Sequence, residues 1–269
     1  MGDLHGQRVG NAPAIERSVM RLVLADDLIS VVTSANSESD LSAALHTATS
    51  RLGFDHFALS YDCRPGSRDG TSLLVHDYPD AWAKLYVGFD LGGNDPVRRA
   101  CGKSMSGFEW RHIENLIPLT RGDRRMLKVG RESGIGDGYT VPRHLPGEAN
   151  GSCSFVVRPD ATLPRSMLHI AEIVGAIALA SARKIVGAVA PKSRPVLSER
   201  QRECVLWSAR GKTAAEIAVI LAISEETVIQ HLKLARERYD VHSRQSLVLC
   251  AMFDGLISFA DVFHWWAGT

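Results

Sequence analysis

The sequence predicts an α+β N-terminal domain, with an antiparallel sheet flanked by helices, followed by an all-α C-terminal domain of four short helices. Up to residue 186, segments with strand alternation stand before, between and after helical segments, which is the pattern of an α+β domain. Between residues 197 and 258, helix-start signals follow one another without a strand pattern. A chain of 269 residues is long enough for both domains.

The domain boundaries follow from changes in composition along the chain. Residues 1–13 are rich in glycine and polar side chains, and we expect them to be disordered. The N-terminal domain then spans 14–186. Prolines and basic residues in 187–196 predict a linker, and the C-terminal domain spans 197–269.

The elements of the N-terminal domain follow from the spacing of its apolar residues. Helical spacing predicts helices at 14–32 and 39–52. Phe57, Leu59 and Tyr61 alternate with other side chains and therefore share one face of a predicted strand. The other predicted elements are strands at 72–76, 138–142 and 151–157, helices at 78–86 and 122–134, and a helix that begins at Asp95-Pro96.

The segment 165–186 is predicted to be a long helix that is apolar on more than one face. Such a helix packs on its own domain and on a partner, and we therefore expect a homodimer. The alternative is a helix that is fully buried within its domain. His169 and Glu172 interrupt the apolar run, which is shorter than the ~20 residues of a membrane span, so no membrane contact is expected.

The C-terminal domain shows a start signal before each of its four helices. Ser198 with Gln201, and Thr213 with Glu216, have the spacing of capping boxes. Ser224 and Ser243 are predicted as simple N-caps of the last two helices.

The helix after Ser224 has one core face and one polar face. Val228, Leu232 and Ala235 recur at helical spacing and are expected to face the core, whereas Gln230 lies on the opposite side. A short turn joins this helix to the preceding one, which predicts a helix-turn-helix whose second helix enters the major groove of DNA. An ordinary helical bundle is the alternative.

The stretch from Leu197 to His231 resembles the DNA-binding domain of LuxR-type transcription factors. The matching positions include Arg200, Trp207 and Gly211, while Gln201 replaces the usual glutamate. The resemblance implies binding of double-stranded DNA at a two-fold operator. The residues expected to contact DNA are Lys212, Thr213, Ser224, Glu226, Thr227, Ile229, Gln230, His231 and Lys233.

The N-terminal domain resembles the acyl-homoserine-lactone-binding domain of LuxR-type regulators. The resemblance is carried by Y-P-D-A-W-x-x-x-Y, then D-P-V, then F-E-W, then a glycine-rich segment from Gly134 to Gly138. It implies a small acyl-homoserine lactone as the signal, as in quorum sensing, and no other cofactor. The implied ligand-binding residues are Tyr78, Trp82, Tyr86, Asp95, Trp110 and Ser154.

The chemistry of the lactone agrees with this set of residues. The ligand presents a ring carbonyl, an amide N–H and an acyl carbonyl, and it needs a donor, an acceptor and a donor. Trp110, Asp95 and Tyr78 supply them, and Trp82 offers an apolar wall. Each of these residues alone also fits a purely structural role, such as a core aromatic residue or an N-cap aspartate. The small Ala58 and Ser60 permit a sizeable acyl group, whose identity stays open.

Other classes of function fit the sequence less well. No H-E-x-x-H, G-x-S-x-G or P-loop motif indicates an enzyme, and the five cysteines form no C-x-x-C zinc motif. The N-terminus lacks the acidic strand end of a response regulator receiver and the pattern of a signal peptide. We therefore expect a bacterial cytoplasmic protein associated with the nucleoid. A regulator that is released from DNA by its ligand, or needs none, remains the alternative.

Overall fold

The structure is a computed structural model, and it describes residues 14–61, 73–88, 95–144, 150–189 and 195–263. The chain divides into two compact units. The N-terminal unit comprises residues 1–143 and 150–190, and the C-terminal unit comprises 144–149 and 191–269. The segment 1–13, predicted to be disordered, lies outside the described residues.

Helices and strands alternate along the N-terminal unit, and the predicted α+β class is confirmed. The strand β3 and two short 3-10 helices are additions that the sequence did not predict. In chain order the described elements are α1 (Ala14–Thr33), α2 (Glu38–Leu52), β1 (His56–Tyr61), β2 (Leu73–His76), α3 (Asp80–Gly88), α4 (Pro96–Cys101), β3 (Phe108–Glu109), a 3-10 helix (Trp110–Asn115), α5 (Arg121–Glu132), β4 (Gly138–Arg143), β5 (Gly151–Val156), a 3-10 turn (Arg165–Met167) and α6 (Leu168–Val189).

The five described strands form one antiparallel sheet in the order β2–β1–β5–β4–β3. Phe57, Leu59 and Tyr61 of β1 are buried, as their alternation predicted. The strand β5 is buried along its whole length because it lies in the middle of the sheet with both faces covered. The sheet therefore has two unlike faces. One is apolar, and the other carries small and hydroxyl-bearing side chains.

Helix α6 covers the apolar face of the sheet and forms the centre of the core. Ala171, Val174 and Ala178 are fully buried. A Cβ atom on Gly175 would lie only 2.9 Å from the side chain of Val141, so glycine allows α6 to approach β4 closely. This packing fixes which face of the sheet is left for a ligand.

The ends of α6 differ slightly from the prediction. The helix continues to Val189, past the predicted end at 186, and residues 190–194 of the predicted linker lie outside the described part. Among the described helices, the segment 165–186 is the only one long and apolar enough, by length and composition alone, to cross a membrane. Its fully buried side chains and its contacts with α1, α2 and the sheet identify it as a core helix.

Helix α2 begins earlier than the sequence analysis predicted. It starts at Glu38, one residue before the predicted start at 39, and its N-cap is Ser37, because Asp40 stands three residues after Ser37 and completes a capping box. The Ser37 hydroxyl accepts from the Asp40 N–H at 3.1 Å, and the Asp40 carboxylate accepts from the Ser37 N–H at 3.1 Å. Ser39 lies too close to Asp40 for this reciprocal geometry.

The described residues of the C-terminal unit form the four predicted helices and one further short helix. The four predicted caps are all present: Ser198 and Thr213 form capping boxes, and Ser224 and Ser243 accept a backbone N–H. The helices are α7 (Glu199–Ala209), α8 (Ala214–Leu221), α9 (Glu225–Tyr239), α10 (Arg244–Phe253) and α11 (Phe259–Val262).

A compact apolar core holds the C-terminal helices together. Val205 of α7, Ala235 of α9 and Leu247 of α10 are fully buried and pack in one cluster. Val228 of α9 and Ile217 of α8 lie in a second cluster. The face of α9 that the periodicity assigned to the core is therefore the face that packs.

An ion pair links α4 to α5 in the N-terminal unit and carries a prediction about stability. The Asp123 carboxylate accepts from Arg99 at 2.8 Å and from the N–H of Thr120 at 2.7 Å. Burial alone would raise the pKa of Asp123, but the hydrogen bonds to Thr120 and Arg99 outweigh it and lower the pKa. We expect Asp123→Asn to lower the free energy of unfolding by about 1.5–3 kcal/mol at neutral pH.

This loss is expected to depend on pH in a defined direction. A lowered pKa in the folded state stabilises the protein fully above the unfolded pKa of about 3.9 and loses that effect as pH falls. The difference between the two proteins, measured by urea unfolding, should therefore shrink below about pH 5. Asp160→Asn, at an exposed aspartate, is the control. A difference that persists unchanged into acid would contradict a role for the Asp123 charge.

Candidate functional site

The second face of the sheet forms the floor of a cavity of about 470 Å³. Ala58 and Ser60 of β1 and Ser152 and Ser154 of β5 line it, because these positions alternate with the residues that face α6. Helix α3, the start of α4, the first 3-10 helix and α5 provide the walls. A cavity of this size lies within the range of sites for small organic ligands.

All six residues that the resemblance implied for the ligand line this cavity. They come from five separate segments of the chain: the residue range just before α3, α3 itself, the N-cap of α4, the first 3-10 helix and β5. The residues are Tyr78, Trp82, Tyr86, Asp95, Trp110 and Ser154.

Asp95 serves as an N-cap and as part of the cavity wall at the same time. Its Oδ1 accepts from the N–H of Val97 at 2.8 Å, and its Oδ2 accepts from the hydroxyl of Tyr86 at 2.8 Å. Burial raises the pKa of Asp95, and the two hydrogen bonds act in the opposite direction. Each carboxylate oxygen has a second lone pair, so the group can still accept a ligand N–H.

The two tyrosines of the cavity keep their protons. Burial raises the pKa of Tyr86, and the charge of Asp95 and the hydrogen bond to it raise the pKa further. Burial is also the main cause that raises the pKa of Tyr78, followed by the nearby charge of Asp95. Both phenols are therefore hydrogen-bond donors at physiological pH.

The indole of Trp110 begins a short chain of hydrogen bonds. Its N–H donates to Oγ1 of Thr140 at 2.7 Å, and the hydroxyls of Thr140 and Ser154 lie 2.8 Å apart. The N–H that the sequence assigned to the ligand thus has a partner inside the protein. The two hydroxyls share one hydrogen bond, which leaves one hydroxyl hydrogen for a ligand oxygen.

Trp82 and Tyr86 form an aromatic wall of the cavity, and they have both the structural and the ligand-binding role that the sequence analysis considered. Trp82 is buried and packs against Ile135 and Val156 in a cluster that Tyr86 also contacts. The two rings lie 5.8 Å apart with an angle of 49° between their planes. The same indole faces the cavity, so it is a core residue and a ligand wall at once.

Two glycines of the predicted glycine-rich segment have definite structural causes. Gly134 adopts a φ of +96°, in the left-handed region, where it ends the turn after α5. A Cβ atom on Gly138 would come within 2.6 Å of the indole of Trp110. Gly138 therefore makes room for the indole beside β4.

Several cavity residues were missed by the sequence analysis. Ser152 lines the cavity, and Thr140 is fully buried and binds the cavity residues Trp110 and Ser154. The alternation of β4 and β5 was the signal that could have found both. His76 could have been found in the same way on β2. Arg111 and Asp137 lie 2.9 Å apart at the wall, and no local pattern indicates this pair.

The helix-turn-helix consists of α8, residues 222–224 and α9. Ala222 has a φ of 53°, a left-handed conformation that turns the chain sharply. The Ser224 hydroxyl then accepts from the N–H of Thr227 at 3.1 Å and starts α9. The exposed side of α9 is opposite the face that packs on the core.

The nine residues predicted to contact DNA lie at the start of α8 and along α9. Lys212 is half-buried, and its ammonium lies 3.2 Å from Glu216 Oε1. Hydrogen bonds from the backbone and hydroxyl of Thr213, followed by that of Lys212, lower the pKa of Glu216 to about 2. Of the nine predicted residues, His231 is half-buried like Lys212. The other seven are exposed: Thr213, Ser224, Glu226, Thr227, Ile229, Gln230 and Lys233.

The described residues do not form a recognisable metal site. Within the part of the chain that the structure describes, no group of three or more histidine, cysteine, aspartate or glutamate side chains is placed to hold a metal ion. The polar groups that line the cavity include hydroxyls, the Asp95 carboxylate and the Arg111–Asp137 ion pair, which can bind the polar groups of an organic ligand.

Comparison with known proteins identifies both units. Residues 37–185 match the family described as "Autoinducer binding domain", and residues 195–251 match "Bacterial regulatory proteins, luxR family". The transcriptional activator protein AnoR of Acinetobacter nosocomialis is 26% identical over 245 residues, which cover 86% of this chain and 98% of AnoR. The HTH-type quorum sensing-dependent transcriptional regulator RpaR of Rhodopseudomonas palustris is 30% identical over 185 residues, 68% of this chain and 74% of RpaR.

A solved structure has the same fold. The crystal structure of Escherichia coli SdiA superimposes with a TM-score of 0.66 at 21% identity, and the match covers 88% of this chain and 98% of that chain. At this level of identity the likeness establishes the fold and nothing finer.

Two substitutions on the helix-turn-helix should affect DNA binding in different ways. Lys212→Ala is expected to weaken binding to all duplexes equally and to lower the salt slope of log K by about one unit, because a phosphate contact releases counterions. Gln230→Ala is expected to cost about 1–3 kcal/mol on an operator selected from random DNA and little on unrelated duplexes. Fluorescence anisotropy over a range of salt concentrations measures both effects.

Each variant is the matched control for the other in this experiment. Lys103→Ala and Gln245→Ala, at exposed positions outside the helix-turn-helix, provide further controls and should leave binding unchanged. An unaltered salt slope in Lys212→Ala would remove Lys212 from the phosphate contacts. Equal losses on both kinds of duplex would remove Gln230 from base reading.

Proposed function

Because the chain belongs to the LuxR family of bacterial regulatory proteins and carries an autoinducer-binding domain, we propose that an N-acyl-homoserine lactone in the cavity of the N-terminal unit controls it. The protein is a DNA-binding transcriptional regulator of the quorum-sensing type. The observation that carries the ligand proposal is the convergence of the six cavity residues around a buried acceptor, Asp95.

The proposed contacts assign one protein group to each polar group of the ligand. Asp95 accepts the amide N–H, through a lone pair that its bonds to Tyr86 and Val97 leave open. The acyl carbonyl accepts from the hydroxyl of Tyr78 or from the hydrogen that the Thr140–Ser154 pair leaves available. Trp82 covers the acyl group with its indole face.

The ring carbonyl requires a change at Trp110. The indole has one N–H and no acceptor, and in the structure this N–H is bound to Thr140. On binding, Trp110 therefore exchanges Thr140 for the lactone carbonyl, and the hydroxyl of Thr140 keeps its bond with Ser154. The exchange replaces one hydrogen bond by another and leaves no buried donor without a partner.

Asp95→Asn and Trp110→Phe test the ligand proposal directly. Asp95→Asn keeps the size and the N-cap but removes the charge, and Trp110→Phe keeps an aromatic ring but removes the donor. A hydrogen bond that involves a charge contributes about 1.5–3 kcal/mol. Asp95→Asn is therefore expected to lose at least about tenfold in affinity for an acyl-homoserine lactone, measured by calorimetric titration of the full chain. Trp110→Phe removes a bond between neutral groups, which contributes about 0.5–1.5 kcal/mol, and is expected to lose roughly two- to tenfold.

Melting curves of the same variants separate binding from folding. If Asp95 acts only as an N-cap and Trp110 only as a core residue, the variants melt earlier and bind the lactone with normal affinity. That combination would contradict the assignment of the cavity. Loss of affinity in proteins whose melting temperature without ligand is unchanged supports it.

The direction of the response is a separate matter. The ligand drives DNA binding in one scheme and releases the protein from DNA in the other, and a third scheme needs no ligand. Ligand that binds only the folded state raises the melting temperature with concentration, so a panel of lactones separates the third scheme from the first two. The relatives are regulators of transcription and not enzymes, which agrees with the absence of catalytic motifs.

We also propose that the regulator acts as a homodimer through the exposed apolar side of α1. Val19, Met20, Leu22 and Val23 are each more than half exposed, although α1 packs on α6 with its other side. An apolar face of this kind on a soluble protein indicates contact with another surface. A second copy fits because two-fold operators require two-fold dimers.

A charged substitution tests the dimer. The double variant Met20→Glu, Val23→Glu places two carboxylates on the apolar side of α1, where a second copy would bury them. We expect the dimer to dissociate into monomers in light scattering. The exposed control Glu38→Gln should leave the mass unchanged. A dimer that survives the double substitution would move the interface away from α1.

The site of action follows from the DNA target. We expect the protein to work in the bacterial cytoplasm, at the nucleoid, where its operators lie.

A further inference from the structure

A second polar subsite lies on the floor of the cavity, separate from the group around Asp95. The hydroxyl oxygens of Ser60 and Ser152 are 3.1 Å apart, and the two residues are direct partners in the register of β1 and β5. Both side chains line the cavity. Ser152 is buried and Ser60 is half-buried.

The Ser60–Ser152 pair has unused hydrogen-bonding capacity. Each hydroxyl has one hydrogen and two lone pairs, and the pair uses one hydrogen and one lone pair for its mutual bond. Within the described residues, neither hydroxyl has another protein partner. One hydrogen and further lone pairs therefore face the ligand space, so the pair can bind a hydroxyl or a carbonyl.

His76 adds a polar group to the neighbouring row of the cavity floor, the row that Ala58 and Ser154 share. It lies on β2 beside Ala58 in the sheet register, and its ring stacks on Tyr78 at 5.7 Å. Its Nδ1 is buried and has no hydrogen-bond partner among the described residues. A buried nitrogen without a partner costs about 1–3 kcal/mol, and a polar ligand group here would remove that cost.

The distance between this subsite and the carbonyl site follows from strand geometry. Ser152 and Ser154 are two residues apart on β5 and point to the same face, so their side chains are about 7 Å apart. The row of Ser154 and Thr140 is the one that faces the acyl carbonyl in the proposed function. The row of Ser60 and Ser152 therefore lies where the acyl chain continues.

We propose that Ser60 and Ser152 determine the specificity of the receptor for an acyl chain that carries a second oxygen, a hydroxyl or carbonyl placed beyond the acyl carbonyl. This inference rests on the proposed function and deepens it by naming the class of acyl group. A saturated alkyl chain over this pair would leave a hydroxyl hydrogen buried without a partner, which lowers its affinity. A distal oxygen satisfies that hydrogen.

A pair of matched ligands tests the inference with the unmodified protein. The ω-hydroxyhexanoyl and heptanoyl forms of homoserine lactone have the same chain length and differ only by a hydroxyl in place of a methyl group. We expect the full chain to bind the hydroxylated form at least about tenfold more tightly in calorimetric titration, the factor that corresponds to 1.4 kcal/mol. Equal affinities, or tighter binding of the heptanoyl form, would overturn the inference.

Variants then identify the residues that cause the preference for the hydroxylated lactone. The double variant Ser60→Ala, Ser152→Ala is expected to bring the ratio of the two affinities to within about threefold of one, since the pair is the proposed source of discrimination. Ser60→Ala alone, at the half-buried member, serves if the double variant does not fold, and it should reduce the ratio. Ser154→Ala is the matched control because it faces the carbonyl common to both ligands. It should weaken both equally and preserve the ratio.

The outcomes distinguish this inference from the proposed function. If both lactones bind but the ratio is close to one, the inference fails and the lactone cavity stands. If the ratio is large and survives in both Ser60→Ala and the double variant, the preference arises elsewhere and the assignment to this pair fails. If neither lactone binds, the proposed function fails and the inference fails with it.

Discussion

The packing of α6 against one face of the five-stranded sheet is the constraint on which the N-terminal unit depends. Phe57 and Phe155 are fully buried on the side of the sheet that α6 covers, and Ala171 and Val174 are fully buried on α6. Side chains alternate along a strand. Because every second side chain of these strands packs in the core, the side chains between them lie on the opposite face of the sheet. The chemistry of the cavity floor is therefore decided by residues that the core does not use.

A single carboxylate connects the walls of the cavity. Asp95 caps α4, accepts from Tyr86 on α3 and faces the ligand space. Burial of a charge is costly, and these hydrogen bonds offset the cost only while both helices are in place. A ligand N–H at the same carboxylate would strengthen this arrangement, so ligand binding and the order of α3 and α4 are coupled through one residue.

The C-terminal unit has its own core, and this core holds α9 so that one face of the helix is available to DNA. Val228 and Ala235 hold α9 on the core, while Gln230 and Lys233 remain exposed. The N-caps satisfy backbone N–H groups that would otherwise lack partners and fix where each helix begins. With its ends and one face fixed, α9 offers a rigid surface for reading base edges.

The sequence by itself determined the helix starts, the strand alternation and both families, because caps, periodicity and motifs depend on residues close together in the chain. It located the six cavity residues only through resemblance. Tertiary structure alone decided that the Trp110 N–H pairs with Thr140, that the short β3 joins the sheet, and that Ser60 meets Ser152. These contacts join residues that lie far apart in the chain, and no local pattern records the distance between side chains that meet only when the sheet has formed.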